Sequence, residues 1–166
     1  VEGPGHTILV GTIEGLITFS SDFSITNIRF YLNLPRPQAT DGLCSADVMS
    51  VLRTTDETII VIVMEVAFVS WFRQIYYLMN FGSGRSAKRH LRWLDLIEDK
   101  NHNIWIGSET DITLFDVHDQ TFESFGETFS IALLIIVNVF GYRQQGDILM
   151  GTEGGMLVFS PDSIVK

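Results

Sequence analysis

The stretch "VGTIEGLITF" (Val10–Phe19) recurs in altered form twice, as "IGSETDITLF" (Ile106–Phe115) and "MGTEGGMLVF" (Met150–Phe159). Gly11, Gly107 and Gly151 each open a nine-residue frame of one plan: glycine, Ser or Thr, a turn of three residues, then four residues ending in Phe. The last two glycines lie 44 residues apart and the first two 96, close to two periods, so a further copy is expected between them. "DVMSVLRTTDETIIVIV" (Asp47–Val63) aligns without a gap with "RWLDLIEDKNHNIWIGS" (Arg92–Ser108). That alignment pairs Val48 with Trp93, Ser50 with Asp95 and Leu52 with Ile97, and it puts Ile62 in the glycine column.

One unit reads as four short strands. Arg92–Glu98 is apolar-rich, and "DKNHN" (Asp99–Asn103) is a turn, because Asp and Asn bond their own backbone and tolerate left-handed φ. "IWIGS" (Ile104–Ser108) and "ITLFD" (Ile112–Asp116) follow, joined by Glu109-Thr110-Asp111. In the sister copies that turn ends in Gly15 and Gly155, as a position with positive φ favours. "TFESF" (Thr121–Phe125) is a fourth, more polar strand. Four antiparallel strands per ~40–45 residues is the arithmetic of a β-propeller blade. The predicted fold is all-β: about four blades, over residues 1–34, 35–81, 82–126 and 127–166. The recurring Phe and Trp105 would fill the space between blades, and the recurring Gly would allow backbones to approach closely there. A helical reading fails, since no sustained i, i+3, i+4 stripe occurs.

Composition narrows the function. The 166 residues are 46% apolar with a net charge of −9. That charge argues against nucleic acid and against attachment to anionic lipid. The lone Cys44 forms no internal disulfide and reads as a small buried hydrophobe. Two apolar runs, "TIIVIVMEVAFVSWF" (Thr58–Phe72) and "FSIALLIIVNVFGY" (Phe129–Tyr142), are rich in β-branched and aromatic residues and read as buried strands. The first carries Glu65, and the second falls short of the ~20 residues a membrane helix needs. No membrane contact is therefore expected within the segment. No charged-then-apolar leader opens the chain, which decides nothing about compartment.

"IEDKNHNIWIGSETDITLFD" (Ile97–Asp116) resembles the repeat of the two-component-regulator propellers, with its D-x-x-G-N-x-W core. "DGLCSADVMSVL" (Asp41–Leu52) is similar to the start of such a blade, and "GTEGGMLVFSPDSI" (Gly151–Ile164) to the end of the last one. The likeness is strong at 92–125 and 146–164, fair at 6–19 and 41–56, and poor at 57–91. It departs from the family at Ile60 and Ile62, which replace Trp and Gly, and at His102, which replaces Gly. The resemblance implies a sensor region outside the inner membrane of a hybrid histidine kinase, hence periplasmic, responding to oligosaccharides and not an enzyme. Such sensors have more blades, so the chain is expected to be part of a larger propeller. The alternative is a four-blade ring closed on itself. The first unit lacks its first strand and the last its fourth, giving about fourteen strands. A segment of this kind exposes an apolar blade face, so its expected partners include other propeller blades or a second protomer.

The candidate chemistry is sparse. No nucleophile elbow, P-loop or dinucleotide-binding glycine pattern occurs, and no cofactor is implied. The four histidines (His6, His90, His102, His118) lack metal-ligand spacing, and His6 and His102 occupy matching turn positions. Glu98 and Asp99 could be read as glycosidase carboxylates, but adjacent strand residues point to opposite faces. The phrase D-x-x-x-N-x-W also resembles the sialidase Asp-box, itself a structural turn. Sugar recognition would instead use aromatic and Arg side chains near "SWFRQIYY" (Ser70–Tyr77) and "RHLRW" (Arg89–Trp93), where the repeat is most irregular. The candidates are Trp71, Arg73, Tyr76, Arg89 and Trp93. Trp93 shares a strand column with Val48, which favours a place in the blade core. Arg85, Lys88 and Arg89 concentrate positive charge in a loop-like stretch, where an anionic sugar is a lesser possibility. A propeller polysaccharide lyase or glycoside hydrolase, and a plain protein–protein scaffold, are the competing classes.

Overall fold

The computed structural model describes residues 1–3, 5–20, 29–31, 47–63, 67–72, 75–80, 93–109, 111–116, 118–119, 121–125, 136–143 and 146–164. They form four antiparallel sheets whose strands follow chain order. The first comprises β1 (Glu2–Gly3), β2 (Thr7–Thr12), β3 (Gly15–Ser20) and β4 (Arg29–Tyr31). The second comprises β5 (Val48–Arg53), β6 (Ile59–Val63), β7 (Ala67–Phe72) and β8 (Ile75–Asn80). The third comprises β9 (Trp93–Glu98), β10 (Ile104–Ser108), β11 (Ile112–Asp116) and β12 (Thr121–Ser124). The fourth holds β13 (Ile136–Tyr142), β14 (Ile148–Thr152) and β15 (Gly155–Phe159), followed by a 3-10 turn at Pro161–Ser163. These are four propeller blades, and the described residues contain no α-helix.

The chain divides into two compact units, Val1–His90 and Leu91–Lys166, each holding two blades. In the first unit Leu9 and Leu16 of blade 1 bury against Val48, Ile59 and Val61 of blade 2. The glycine column shows its purpose here. A Cβ on Gly11 would lie 2.5 Å from Val48 Cγ1, so only glycine lets β5 approach β2 this closely. In the second unit Ile97, Trp105, Ile112 and Leu114 of blade 3 bury against Ile148, Met150 and Phe159 of blade 4, with Phe125 in the same cluster.

The ungapped alignment of blades 2 and 3 is reproduced in the pairing. Ser50 opposes Ile62 as Asp95 opposes Gly107, and both sheets bulge at the same point, so that Val48 meets Val63 and Trp93 meets Ser108. The frame breaks one step later. Thr12 pairs with Gly15 and Thr152 with Gly155, leaving two residues in each connection, whereas Val63 pairs with Ala67 and leaves three. One added residue therefore displaces everything after Ile62. The apolar run Thr58–Phe72 accordingly holds two strands, of which Ile59–Ile62 are buried. β13 covers 136–142 of the second apolar run, and the rest of that run lies outside the described residues.

One strand expectation is corrected. Blade 1 was expected to lack its first strand, yet Glu2 pairs with Ile8 and Gly3 with Thr7. Two residues are too few to show an alternating pattern, so nothing in the sequence marks them as a strand. The count among the described residues is fifteen.

The turn between the first two strands repeats one pair of backbone bonds in blades 2, 3 and 4. The Asp99 N–H donates to the Asn103 carbonyl (2.8 Å) and the His102 N–H to the Asp99 carbonyl (3.0 Å). Thr54, Glu57 and Thr58 repeat these bonds in blade 2, as do Arg143, Gly146 and Asp147 in blade 4. The residue that reverses the chain has positive φ each time: His6 (59°), Glu57 (70°), His102 (67°) and Gly146 (86°). This is the hairpin with a left-handed bulge residue. It explains why the resembled repeat places Gly where His102 stands, and a non-glycine residue there costs roughly 1–2 kcal/mol. Gly15 (129°) and Gly155 (134°) likewise have the positive φ expected of them.

Candidate functional site

Asp99 accepts four hydrogen bonds, and its role follows from its turn. Its carboxylate is buried and accepts the backbone N–H groups of Asn101 (2.8 Å) and Asn103 (3.0 Å). It also accepts the Trp105 indole Nε1–H (2.8 Å) and, at 3.4 Å, the Asn103 amide. A buried carboxylate is tolerated when its lone pairs are filled in this way. The phrase D-x-x-x-N-x-W thus describes a knot that ties the turn to the core tryptophan. Glu98 follows a separate path: one carboxylate oxygen lies 3.0 Å from His102 Nδ1. The two acids serve different groups, and the pairing carries no shared substrate position.

Two further residues bind this turn to the rest of its unit, and a third joins the two blades. The Tyr142 hydroxyl donates to the Glu98 carbonyl. Asp162 accepts from Lys100 Nζ and from the Asn101 amide (3.1 Å). These two donors, Lys100 first, hold the Asp162 carboxyl below the ordinary carboxylate range. Asp95 links blades 3 and 4, its Oδ2 accepting the Phe140 N–H at 3.0 Å. None of these contacts is legible in the sequence, since each joins residues 44 or more apart.

Tyr142 supplies a measurable consequence. Partial burial, then the negative charges of Glu98 and Asp99, push its phenol above 10. The neutral phenol is the form that donates to the carbonyl. Its contribution to stability is complete below the unfolded-state pKa of ~10 and is lost as pH rises through the folded value. The ultraviolet difference titration of wild type against Tyr142→Phe is expected to show one phenol with a midpoint above 10. A midpoint at or below 10 contradicts the partial burial of this phenol beside the two acids.

Of the sequence-nominated ligand residues, the structure describes Trp71, Tyr76 and Trp93. Trp71 opposes Tyr76 across β7 and β8, at the end of blade 2 that carries the 54–58 turn. Arg73 and Arg89 lie outside the described residues. Trp93 opposes Ser108 at the far end of blade 3 from the 99–103 turn, and it belongs to the other unit. Among the described residues no three His, Cys, Asp or Glu side chains form a group able to hold a metal ion. His6 and His102 have the turn role expected of them.

Four sheets of consecutive antiparallel strands, packed through apolar faces within each unit, define the protein as one built of propeller blades. The extracellular domain of BT3049, assigned to a hybrid two-component system of B. thetaiotaomicron, is similar in structure. Its identity is 18% and the TM-score 0.72, over 98% of this chain and 21% of that one. The extracellular domain of BT4673 from the same organism, also assigned to a hybrid two-component system, matches with 19% identity and a TM-score of 0.70 over 97% of this chain and 20% of that one. A catalytically inactive virginiamycin B lyase from Staphylococcus aureus, solved with quinupristin, matches at 8% identity and a TM-score of 0.65. That match covers 95% of this chain and 48% of the lyase. The repeat that resembles two-component-regulator propellers therefore folds as the extracellular domains of two-component systems do. At these identities the likeness establishes the fold. The chain spans about a fifth of the length of the two extracellular domains. No protein-family model and no curated protein matches the sequence.

Proposed function

We propose that the chain is a ligand-recognising propeller segment of an extracytoplasmic sensor in a two-component signalling protein. The observation that carries this reading is the likeness, over nearly the whole chain, to the extracellular domains of two hybrid two-component systems. The segment acts without catalysis, in the periplasm, by presenting loops whose ligand contacts shift an association or orientation equilibrium. No described helix is long and apolar enough to cross a membrane. The ligand is an oligosaccharide, held by aromatic faces and guanidinium groups drawn from Trp71, Arg73, Tyr76, Arg89 and Trp93. The opposition of Trp71 and Tyr76 makes the outer hairpin of blade 2 the first place to look.

The lyase likeness favours one second reading, a propeller that cleaves its ligand. A single screen separates the two. The protein is incubated with a glycan panel, and both its melting temperature and the released products are followed. Stabilisation without product supports the sensor, with ~2.7 kcal/mol expected at a hundredfold excess over Kd. Trp71→Ala with Tyr76→Ala is expected to abolish the shift. Product release overturns the sensor in favour of the lyase or hydrolase, and silence across the panel favours a scaffold.

A further inference from the structure

Blades 1, 3 and 4 close the connection between their second and third strands in one way. The Thr12 hydroxyl donates to the Gly15 carbonyl (2.8 Å), the Ser108 hydroxyl to the Asp111 carbonyl (3.1 Å) and the Thr152 hydroxyl to the Gly155 carbonyl (2.9 Å). Blade 3 departs in one respect: where blades 1 and 4 have glycine, it carries the side chain of Asp111. The closing bond uses only the backbone carbonyl of that residue, so the turn itself does not call for a carboxylate.

Asp111 is only 3% exposed. Its Oδ2 accepts the Ser124 hydroxyl, while its buried Oδ1 has no hydrogen-bond partner among the described residues. Asp99 shows the contrast, since it is as deeply buried and its carboxylate accepts four bonds. A buried carboxylate oxygen left unfilled costs stability, and such a group calls for a partner. Ser124 is exposed, so the carboxylate lies one side chain below the surface. The register puts Trp93 at the same end of the sheet, opposite Ser108.

We infer that this end of blade 3 is a contact site for a hydroxyl group of the oligosaccharide, with Asp111 Oδ1 as its acceptor. The inference rests on the reading of the ligand as a sugar that reaches Trp93. Rotation of the Ser124 side chain uncovers the carboxylate, and a ligand hydroxyl then donates a charge-assisted hydrogen bond to it. A sugar hydroxyl fits the site better than a metal ion does. Calcium takes about six to eight oxygens, whereas Asp111 offers a single unfilled one, and no group of three acids surrounds it among the described residues.

The test is a thermal-shift experiment read without and with ligand. Without ligand, Asp111→Ala is expected to raise the melting temperature by about 4 °C or more, because it removes an uncompensated buried group and leaves the exposed Ser124 hydroxyl to water. Asp99→Ala, which takes the acceptor from four bonds, is expected to lower it. With the glycan that stabilises wild type, Asp111→Ala should bind at least about tenfold more weakly. Asp111→Asn keeps the shape, puts an amide N–H where the acceptor was, and should weaken binding likewise. A melting temperature that falls in Asp111→Ala marks the carboxylate as structural and overturns the inference. An unchanged glycan shift in that variant also overturns it, and leaves the sugar reading intact. Calcium chloride replaces the glycan as a control, and a wild-type shift that Asp111→Ala lacks would assign the free oxygen to a cation instead. Silence of the wild type across the glycan panel overturns the sugar reading and this inference with it.

Discussion

Replacing Trp105 with alanine is expected to lower the stability of its unit by about 3–5 kcal/mol, a large part of the 5–15 kcal/mol that a domain holds. The side chain has no exposed surface and sits at the middle of the second unit's core. Its ring centroid lies 5.5 Å from that of Phe125 and 5.0 Å from that of Phe159, the latter edge-on. Removing it leaves a cavity among Ile97, Ile112, Ile148 and Met150, which belong to a sheet pair that cannot collapse without shifting strands. It also takes away one of the donors that satisfies the buried Asp99 carboxylate. Trp105→Phe separates the two losses, because it keeps most of the ring and drops only the indole N–H. That variant should cost about 1–3 kcal/mol. Urea unfolding followed by far-ultraviolet circular dichroism measures both. A loss below ~1 kcal/mol for the alanine variant would show that the cluster repacks and that the blade contact is not built on this residue.

Gly11→Ala is expected to destabilise the first unit by about 1–3 kcal/mol, although it adds one methyl group to a residue with ordinary strand pairing. The new Cβ would sit 2.5 Å from Val48 Cγ1, 3.1 Å from Val48 Cβ and 3.3 Å from the Val48 carbonyl oxygen. Valine is stiff about χ1 and its carbonyl is part of a strand, so the relief must come from movement of β5 away from β2. A double-mutant cycle identifies the cause. Val48→Ala removes the nearest atom, so Gly11→Ala should cost at least 1 kcal/mol less in that background than alone. Additive losses would place the cost in the strand backbone and not in the blade contact.

Much of the fold can be read from the sequence because the repeat is aligned with itself. The third blade's strands fall at Trp93–Glu98, Ile104–Ser108, Ile112–Asp116 and Thr121–Ser124, within a residue of their expected bounds. Gly11 has the close-approach role and Phe159 the packing role that the recurrence of their columns implies. Self-comparison weakens where copies diverge, and the cause is concrete. Ile62 keeps the column while the connection after Val63 grows by one residue, so β7 loses its alignment although it still pairs with β6. The two-residue β1 is invisible for another reason, since its partner strand supplies the evidence for it. The site is less legible. The sequence marks 99–103 as a turn, from the Asp and Asn in it, but suggests solvated acids there, whereas Glu98 and Asp99 are buried and bonded. Asp95, Tyr142 and Asp162 act at a distance through the folded chain, and no local pattern distinguishes them from ordinary surface acids and aromatics. Trp71 and Tyr76 are opposed by the register of a hairpin whose sequence has lost the family's phrase, which is why composition alone brought them forward.

The direction of the blade contact bears on how such a chain changes its length. Within each unit one sheet face of a blade, such as that of Trp105 and Leu114 on blade 3, meets the opposite face of the next, such as that of Ile148 and Met150 on blade 4, and a blade copied in place carries both faces in the same order. Deleting a whole blade is equally neutral at the seam. A cut through the middle of a blade, between its second and third strands, separates the paired columns and leaves two surfaces that nothing in the molecule fits. Lineages of this protein should therefore gain and lose material in steps of one period, about 44 residues, with boundaries near the first strand of a blade. Duplicating one blade of this chain by design should add its stability as one more nearest-neighbour contact, whereas an insertion half that length should not fold into the stack.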